Sequence, residues 1–314
     1  MKTVFFGTPE FSRASLLEIA ASRHAICGVV TGKDKPQGRH LRVVPSAVKT
    51  AALSRGLPVF QFDDVNAPDA LRRLADLEPD IFVVVSFGKI LSRALLDLPR
   101  IGAINLHASL LPGLRGAAPI QRAVASGCDR TGNTIMFITE RLDAGDIVLQ
   151  EETAIRPDDT YGTLSGRLAE TGARLLVRAM DMIETGSYGR TPQDESMSTY
   201  ARKFSREETF VKWSDPARVI ACLIRALCPK PCAHAVMTLR GAAQTVKILQ
   251  AEALSEQASF APGTVVRAGK DGIAVAAGEG VLAVTRLQLP GKKEMTAGEF
   301  INGHGIRHGD TFGA

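Results

Sequence analysis

The first half of the chain alternates short apolar runs with amphipathic stretches. Apolar runs typical of buried strands occupy residues 3–6, 25–30, 80–86 and 103–107. Helical spacing of apolar residues covers residues 11–22, 67–77 and 160–184. Because parallel strands are joined by right-handed helical crossovers, this pattern predicts an α/β fold with a doubly wound, mostly parallel, Rossmann-like sheet. Thr8 is predicted to cap the first helix, with Pro9 in its first turn.

The pattern changes in the last third of the chain. One helix is predicted over residues 216–227, and short alternating segments punctuated by glycine follow it. These segments cover residues 235–239, 245–251, 263–266, 272–276 and 281–288. Short strands of this kind predict a small β-barrel, for which the oligonucleotide-binding (OB) type is the natural candidate.

Length and composition favour two domains. The 314 residues are too many for one typical core, and residues 185–205 show little periodicity. We therefore predict an α/β domain over residues 1–188, a linker over 189–205 and an OB-like domain over 206–314. A hydrophobic content of 45% and a charged content of 23% are typical of a soluble globular enzyme. The one apolar run near the start is cut by Gly7 and Pro9, so we expect a cytoplasmic protein.

The cysteines indicate neither a disulfide framework nor a metal centre. Their number, five, is odd, and they are scattered along the chain. Cys228 and Cys232 lie near His234, but three residues separate the two thiols and no fourth ligand is clustered with them. This is a poor zinc signature, so we predict no metal.

The net charge of +5 is unevenly distributed. From residue 201 onward there are 15 Lys and Arg against 10 Asp and Glu, whereas the first 200 residues hold 23 of each. A neutral domain followed by a basic one suggests chemistry in the first and a polyanion held by the second. Charge alone leaves open a solvated surface that only aids solubility.

Three polar residues could support acyl transfer. Asn105 and His107 alternate at the end of a predicted strand, so their side chains should lie on one face. Ligands of doubly wound sheets bind at the carboxyl ends of strands. An amide and a protonated imidazole could hold the oxyanion of a tetrahedral intermediate, while Asp143 could keep the imidazole cationic and relay a proton.

Structural roles must be weighed against this interpretation. A single histidine at a strand end is more often a hydrogen-bonded structural side chain than a catalyst. Asn105 could cap a turn, and Asp143 with Gly145 could form an ordinary Asx turn. The combination of the three in one pattern favours chemistry.

The sequence around these residues carries a family resemblance. Residues 105–121 read NLHASLLPGLRGAAPIQ and residues 142–146 read LDAGD. The two stretches resemble the active site of the formyltetrahydrofolate-dependent transferases, and the whole chain is similar to the methionyl-tRNA formyltransferase family. The resemblance implies transfer of the formyl group of 10-formyltetrahydrofolate to initiator methionyl-tRNA for translation initiation. Asn105, His107 and Asp143 are then the catalytic residues, residues 1–188 form the formyltransferase domain and residues 206–314 bind tRNA. A monomer is expected.

The resemblance also implies binding residues. The folate should lie against the turn after the strand at 103–107 and against the strand and turn of residues 84–91. The predicted folate contacts are Ser109, Leu110, Leu111, Pro112, Val85, Phe87, Gly88 and Leu91. The predicted tRNA contacts are Arg39, Arg42, Lys203, Lys247, Lys292 and Lys293. This chain departs from the family pattern at Gly113, Leu114 and Cys232, which could alter substrate fit.

Three rival functions stay open at this point. The same chemistry could serve a small amine, such as a glycinamide ribonucleotide or an amino sugar. Water could replace the amine, which would make the protein a formyltetrahydrofolate hydrolase. A protein that only binds RNA, with an inactive first domain, is the third rival.

Overall fold

The fold is described from a computed structural model, which covers residues 1–37, 42–239, 241–257 and 259–313. The chain divides into two compact units. The first unit comprises residues 1–119, 130–154 and 165–201, and the second comprises 120–129, 155–164 and 202–314. The boundaries 1–188, 189–205 and 206–314 stay a prediction.

A seven-stranded sheet forms the centre of the first unit, in the order β5-β2-β1-β6-β7-β8-β9. The strands from β5 to β7 in this order pair in parallel, and β8 and β9 add two antiparallel strands at one edge. The strands are β1 Lys2–Gly7, β2 Ala25–Val30, β3 Lys35–Gln37, β4 Arg42–Val44, β5 Val59–Phe60, β6 Ile81–Val85, β7 Gly102–His107, β8 Arg130–Phe137 and β9 Ile147–Ala154, of which β3 and β4 form a separate antiparallel pair.

Helices bury both faces of this sheet. The first unit contains α1 Glu10–Ala21, α2 Ala47–Ser54, α3 Pro68–Ala75, α4 Arg93–Leu96 and, from Ser165 onward, α6 Tyr161–Glu184. Helix α5 Pro119–Ala125 belongs to the second unit after its first residue. On one face Phe5 of β1 packs in a core with Leu16 of α1 and Leu176 of α6. On the other face Val4 packs in a core with Leu74 of α3. Successive residues of β1 thus enter opposite cores, which is what a strand covered on both sides requires.

An antiparallel sheet with two helices makes up most of the second unit. Its strands run in the order β12-β13-β14-β11-β10-β16, with β15 paired to β14, and they form a half-barrel. The elements are α7 Ala217–Leu227, β10 Ala233–Leu239, β11 Ala242–Leu254, β12 Val265–Gly269, β13 Gly272–Ala276, β14 Val281–Gln288, β15 Glu294–Thr296, α8 Ala297–His304 and β16 Phe312–Gly313. Ile224 of α7 and Phe300 of α8 fill its core.

The predicted fold class is confirmed, with a parallel-rich α/β domain followed by an antiparallel β domain. One local prediction is wrong. Pro9, not Thr8, caps α1, because the Thr8 hydroxyl accepts a hydrogen bond from the Gly32 N–H at 3.1 Å instead. Within the described part of the chain, we find no helix with the length and hydropathy to cross a lipid bilayer.

Two buried serines on α1 make a matched pair for a stability test. The Ser12 hydroxyl donates to the carbonyl oxygen of Val85 at 2.6 Å, whereas the Ser15 hydroxyl finds no partner among the described residues. We expect Ser12→Ala to lower the free energy of unfolding by about 1 kcal/mol, since a buried hydrogen bond is lost. Ser15→Ala should cost nothing, because it removes an unsatisfied buried group. Urea unfolding of both variants checks this, and equal shifts would contradict it.

Candidate active site

Strand β7 carries Asn105 and His107 to the carboxyl end of the parallel part of the sheet. Asn105 pairs with Val84 of β6 on one side and Met136 of β8 on the other, so β7 is an interior strand. The two-residue period of a strand places Asn105 and His107 on the same face. Asn105 is half-buried, and its amide makes no hydrogen bond with the residues the structure describes. A substrate oxygen could therefore use this amide as a donor.

The His107 ring is held at one nitrogen and faces a carboxylate with the other. Nε2 lies 2.9 Å from the carbonyl oxygen of Leu114, and Nδ1 lies 3.7 Å from Oδ2 of Asp143. A carbonyl can only accept, so Nε2 carries a proton and donates to Leu114. Nδ1 can donate as well only when the ring is doubly protonated.

Asp143 is fixed by a backbone donor. Its Oδ2 accepts a hydrogen bond from the Gly116 N–H at 2.8 Å. Gly116 has φ of +115°, and a Cβ there would approach the carbonyl oxygen of Ala201 to 2.9 Å, so only glycine fits at this turn. The Asp143 side chain is 14% exposed and the His107 side chain 6%. The pair is therefore largely withdrawn from solvent.

The loop that carries Asp143 is tight. Asp143 itself has φ of +49°, in the left-handed region that non-glycine residues seldom adopt. At Gly145 a Cβ would overlap the carbonyl oxygen of Phe137, so this position also requires glycine. The sequence Asp-Ala-Gly thus reflects a compact turn that aims one carboxylate toward β7.

A buried arginine, Arg115, lies in the turn between Leu114 and Gly116. Arg115 is fully buried, and its guanidinium bonds to Gln193 and to the carboxylate of Glu195. The hydrogen bond to Glu195 raises the pKa of Arg115, and the same bond lowers the pKa of Glu195. Arg141, in the loop of Asp143, also pairs with Glu195 at 2.7 Å. Sequence reasoning missed Gln193 and Glu195, because both lie in a polar stretch that resembles a plain linker.

The end of β6 and the segment after it carry backbone donors without acceptors among the described residues. Val85, Phe87 and Leu91 are buried, and the Phe87 ring packs edge-on against Phe6 with centroids 5.4 Å apart. Gly88 is exposed. Among the described residues, none accepts a hydrogen bond from the N–H groups of Phe87 or Gly88. The polar edge of a flat heterocycle would find donors here, whereas the three buried side chains offer little accessible apolar area.

Hydrogen bonds hold the turn after β7, which comprises Ser109, Leu110, Leu111 and Pro112. The Ser109 hydroxyl donates to the Gly113 carbonyl oxygen at 2.6 Å. The Leu111 N–H donates to Thr134, and the Leu111 carbonyl accepts from Gln150. These bonds give the turn a fixed shape. They also occupy the Leu111 N–H, so a ligand would contact this turn mainly through its apolar surface.

The structure describes the four lysines among the predicted tRNA contacts, but not the side chains of the two arginines. Arg39 lies outside the described residues, and of Arg42 only the backbone, in β4, is described. Lys203 is exposed in an extended stretch of the second unit. Lys247 of β11 pairs with Gln288 at the end of β14, and the exposed Lys292 and Lys293 follow in the turn to β15. The sheet register therefore places Lys247 and these two lysines at the same end of the half-barrel.

Comparisons with known proteins show the family of the chain. The family model described as formyl transferase matches residues 1–180, and the formyl transferase C-terminal domain matches residues 203–305. The methionyl-tRNA formyltransferase of Moorella thermoacetica is 45% identical over 100% of this chain and 99% of its own. That of Marinobacter nauticus is 43% identical over 96% of each chain.

Solved structures share the fold at low identity. HypX from Aquifex aeolicus, solved in complex with tetrahydrofolic acid, is 18% identical with a TM-score of 0.63, covering 97% of this chain and 48% of HypX. Both units of this chain are matched by family domains, and full-length relatives exceed 40% identity. The chain therefore belongs to the formyl transferase family.

Proposed function

We propose that this protein transfers the formyl group of 10-formyltetrahydrofolate to the α-amino group of methionyl initiator tRNA, for translation initiation. The observation that carries the proposal is the approach of Asp143 to His107 beside the unpaired amide of Asn105. Relatives named methionyl-tRNA formyltransferase that align over almost the whole chain support the choice of acceptor. The location is expected to be the cytoplasm, and the working form a monomer.

The side chains on β7 would stabilise the tetrahedral intermediate. The uncharged amine attacks the formyl carbon, and the carbonyl oxygen becomes an oxyanion. The Asn105 amide donates to this oxygen, and so does the Nδ1 proton of the His107 cation. Preorganised donors of this kind are worth about 10²- to 10³-fold in rate each. The bond from Nε2 to Leu114 keeps the ring from rotating while Nδ1 donates.

Asp143 would have two tasks. Its Oδ2 faces His107 and favours the cationic ring, while Gly116 keeps this oxygen in place. Its Oδ1 accepts no hydrogen bond from any residue in the described ranges. This second oxygen can take the proton that the amine loses, directly or through water, and return it to the folate nitrogen as the carbon–nitrogen bond breaks. Tetrahydrofolate and formylmethionyl-tRNA are the products.

The folate would lie at the end of β6 and the turn after it, where Val85, Phe87 and Leu91 are buried and Gly88 is exposed. The N–H groups of Phe87 and Gly88, which have no acceptor among the described residues, would bond to the polar edge of the pterin, and the turn from Ser109 to Pro112, which includes Leu110 and Leu111, would close the other side. The two segments follow neighbouring parallel strands, β6 and β7, which brings them to the same edge of the sheet.

The lysines of the second unit would hold the tRNA backbone. Lys247, Lys292 and Lys293 form one positive group at the end of the half-barrel, and Lys203 adds a further exposed charge. Arg39 and Arg42 remain predicted contacts on the basis of sequence. Phosphate contacts of this kind set affinity and orientation and carry no base specificity.

Replacing the β7 donors should slow turnover without unfolding the protein. We expect Asn105→Ala to lower kcat by about 10²- to 10³-fold and His107→Ala by at least as much, since each removes an oxyanion donor. Formylation of initiator methionyl-tRNA under saturating substrates measures this. His308→Ala is the matched control, because the His308 ring also bonds a backbone carbonyl, that of Val266 at 3.0 Å, and should leave kcat unchanged.

The same assay separates the rival functions. Formate release without an acceptor amine would indicate a hydrolase, and preference for a small amine would indicate another acceptor. No formylmethionyl-tRNA above background would contradict the proposed reaction. An unchanged rate for His107→Ala would contradict the assigned residue and leave the reaction standing.

Removing a lysine from the positive group of Lys247, Lys292 and Lys293 should make the formylation of methionyl-tRNA less dependent on salt concentration. A plot of log(kcat/KM) against log salt concentration has a negative slope. Each lysine that no longer neutralises a phosphate should make this slope shallower by roughly 0.7 to 0.9. We expect this for Lys292→Ala and Lys293→Ala, with kcat unchanged. Lys270→Ala, which removes an exposed lysine outside the predicted set, is the control. Equal slopes for all three variants would argue against tRNA binding at this end of the half-barrel.

A further inference from the structure

Gln193 clamps the loop that carries Asp143. Its side-chain nitrogen donates to the carbonyl oxygen of Asp143 at 2.9 Å and to that of Gly145 at 2.8 Å. Two hydrogen bonds from one amide therefore fix both sides of Ala144. The half-buried Gln193 lies in the stretch that sequence analysis interpreted as a linker.

The orientation of the Gln193 amide is determined by its partners. Its oxygen accepts from Nε of Arg115 at 3.1 Å and from a terminal nitrogen at 2.8 Å. A guanidinium can only donate and a carbonyl can only accept, so the amide cannot be turned over without losing every bond. Arg115 in turn is fully buried and is held by Glu195. Gln193 thus connects the Asp143 loop to an arginine whose own position is fixed.

The loop needs such support because its backbone is strained. Asp143 has φ of +49°, a conformation that is strained for a non-glycine residue and persists only where surrounding contacts enforce it. The carboxylate is held by Gly116, and the main chain is held by Gln193. Without the Gln193 bonds the main chain of the loop can relax. The 3.7 Å separation between Asp143 and His107 is then no longer enforced.

We propose that Gln193 is a positioning residue for formyl transfer, which acts by holding the Asp143 carboxylate at its working distance from His107. This inference rests on the proposed function, because it requires Asp143 to take part in the reaction. The Gln193 side chain forms hydrogen bonds with Arg115, Asp143 and Gly145. Its effect on rate must therefore pass through Asp143, and this is the property that an experiment can test.

The test is a double-mutant cycle with Gln193→Glu and Asp143→Asn. The glutamate keeps acceptor oxygens for Arg115 but loses both donors to the loop. We expect Gln193→Glu alone to lower kcat by roughly 10- to 100-fold, the cost of a misplaced catalytic group. In the Asp143→Asn background the same change should cost less than about twofold, because residues that act as one unit are not additive. The expected effect is on kcat, with KM for both substrates nearly unchanged.

Two further variants serve as a second test and as a control. Gln193→Met keeps the approximate size of the side chain without its amide, and it should lower kcat as Gln193→Glu does if the glutamate variant folds poorly. Gln257→Glu makes the same chemical change on an exposed residue of the second unit and should leave kcat unaltered. Thermal unfolding of every variant confirms that the assayed protein is folded.

The outcomes separate the two proposals. An equal cost of Gln193→Glu in both backgrounds would overturn the positioning role and leave the proposed function intact. A rate for Asp143→Asn equal to that of the parent would overturn both the role of Asp143 and that of Gln193. A large loss confined to the Asp143-containing background would support the inference.

Discussion

The site depends on one short turn that holds both members of the His107–Asp143 pair. The carbonyl oxygen of Leu114 accepts from the imidazole, and the N–H of Gly116, two residues further on, donates to the carboxylate. Both residues have positive φ, +59° and +115°. The turn thus presents an acceptor and a donor to two side chains that come from distant parts of the chain. The geometry of the pair is a property of this backbone.

A second segment of the first unit, residues 191–201, holds that turn in place. The Leu114 N–H donates to the Thr199 hydroxyl at 2.8 Å, and the Arg115 N–H donates to the Thr199 carbonyl oxygen at 2.8 Å. The Ala201 N–H donates back to the Arg115 carbonyl oxygen at 2.7 Å. Gln193 of the same segment holds the Asp143 loop. A stretch of sequence without periodicity therefore supports the imidazole and the carboxylate together.

Sequence alone predicted the parts of the structure that depend on local pattern. The alternation of strands and helices, and the common face of Asn105 and His107, follow from periods of 3.6 and 2 residues. Strand β8 was missed because its first five residues, 130–134, are polar or glycine and form no apolar run, although four of them are buried. The Thr8 cap failed because a tertiary partner, the Gly32 N–H, competes for its hydroxyl. The approach of Asp143 was expected from family resemblance only, and the role of Gln193 depends on where a buried arginine finally lies.

The separation of 3.7 Å between Nδ1 and Asp143 suits the proposed reaction better than a closer contact would. A short hydrogen bond would engage the Nδ1 proton with the carboxylate and leave the ring without a donor, because Nε2 is already bonded to Leu114. At 3.7 Å the carboxylate does not engage the Nδ1 proton of the proposed cation in a hydrogen bond. The proton then stays available to an oxyanion. In the proposed role, the Asp143 carboxylate must lie near the ring without closing on it. Its loop is fixed by hydrogen bonds at both the side chain and the main chain.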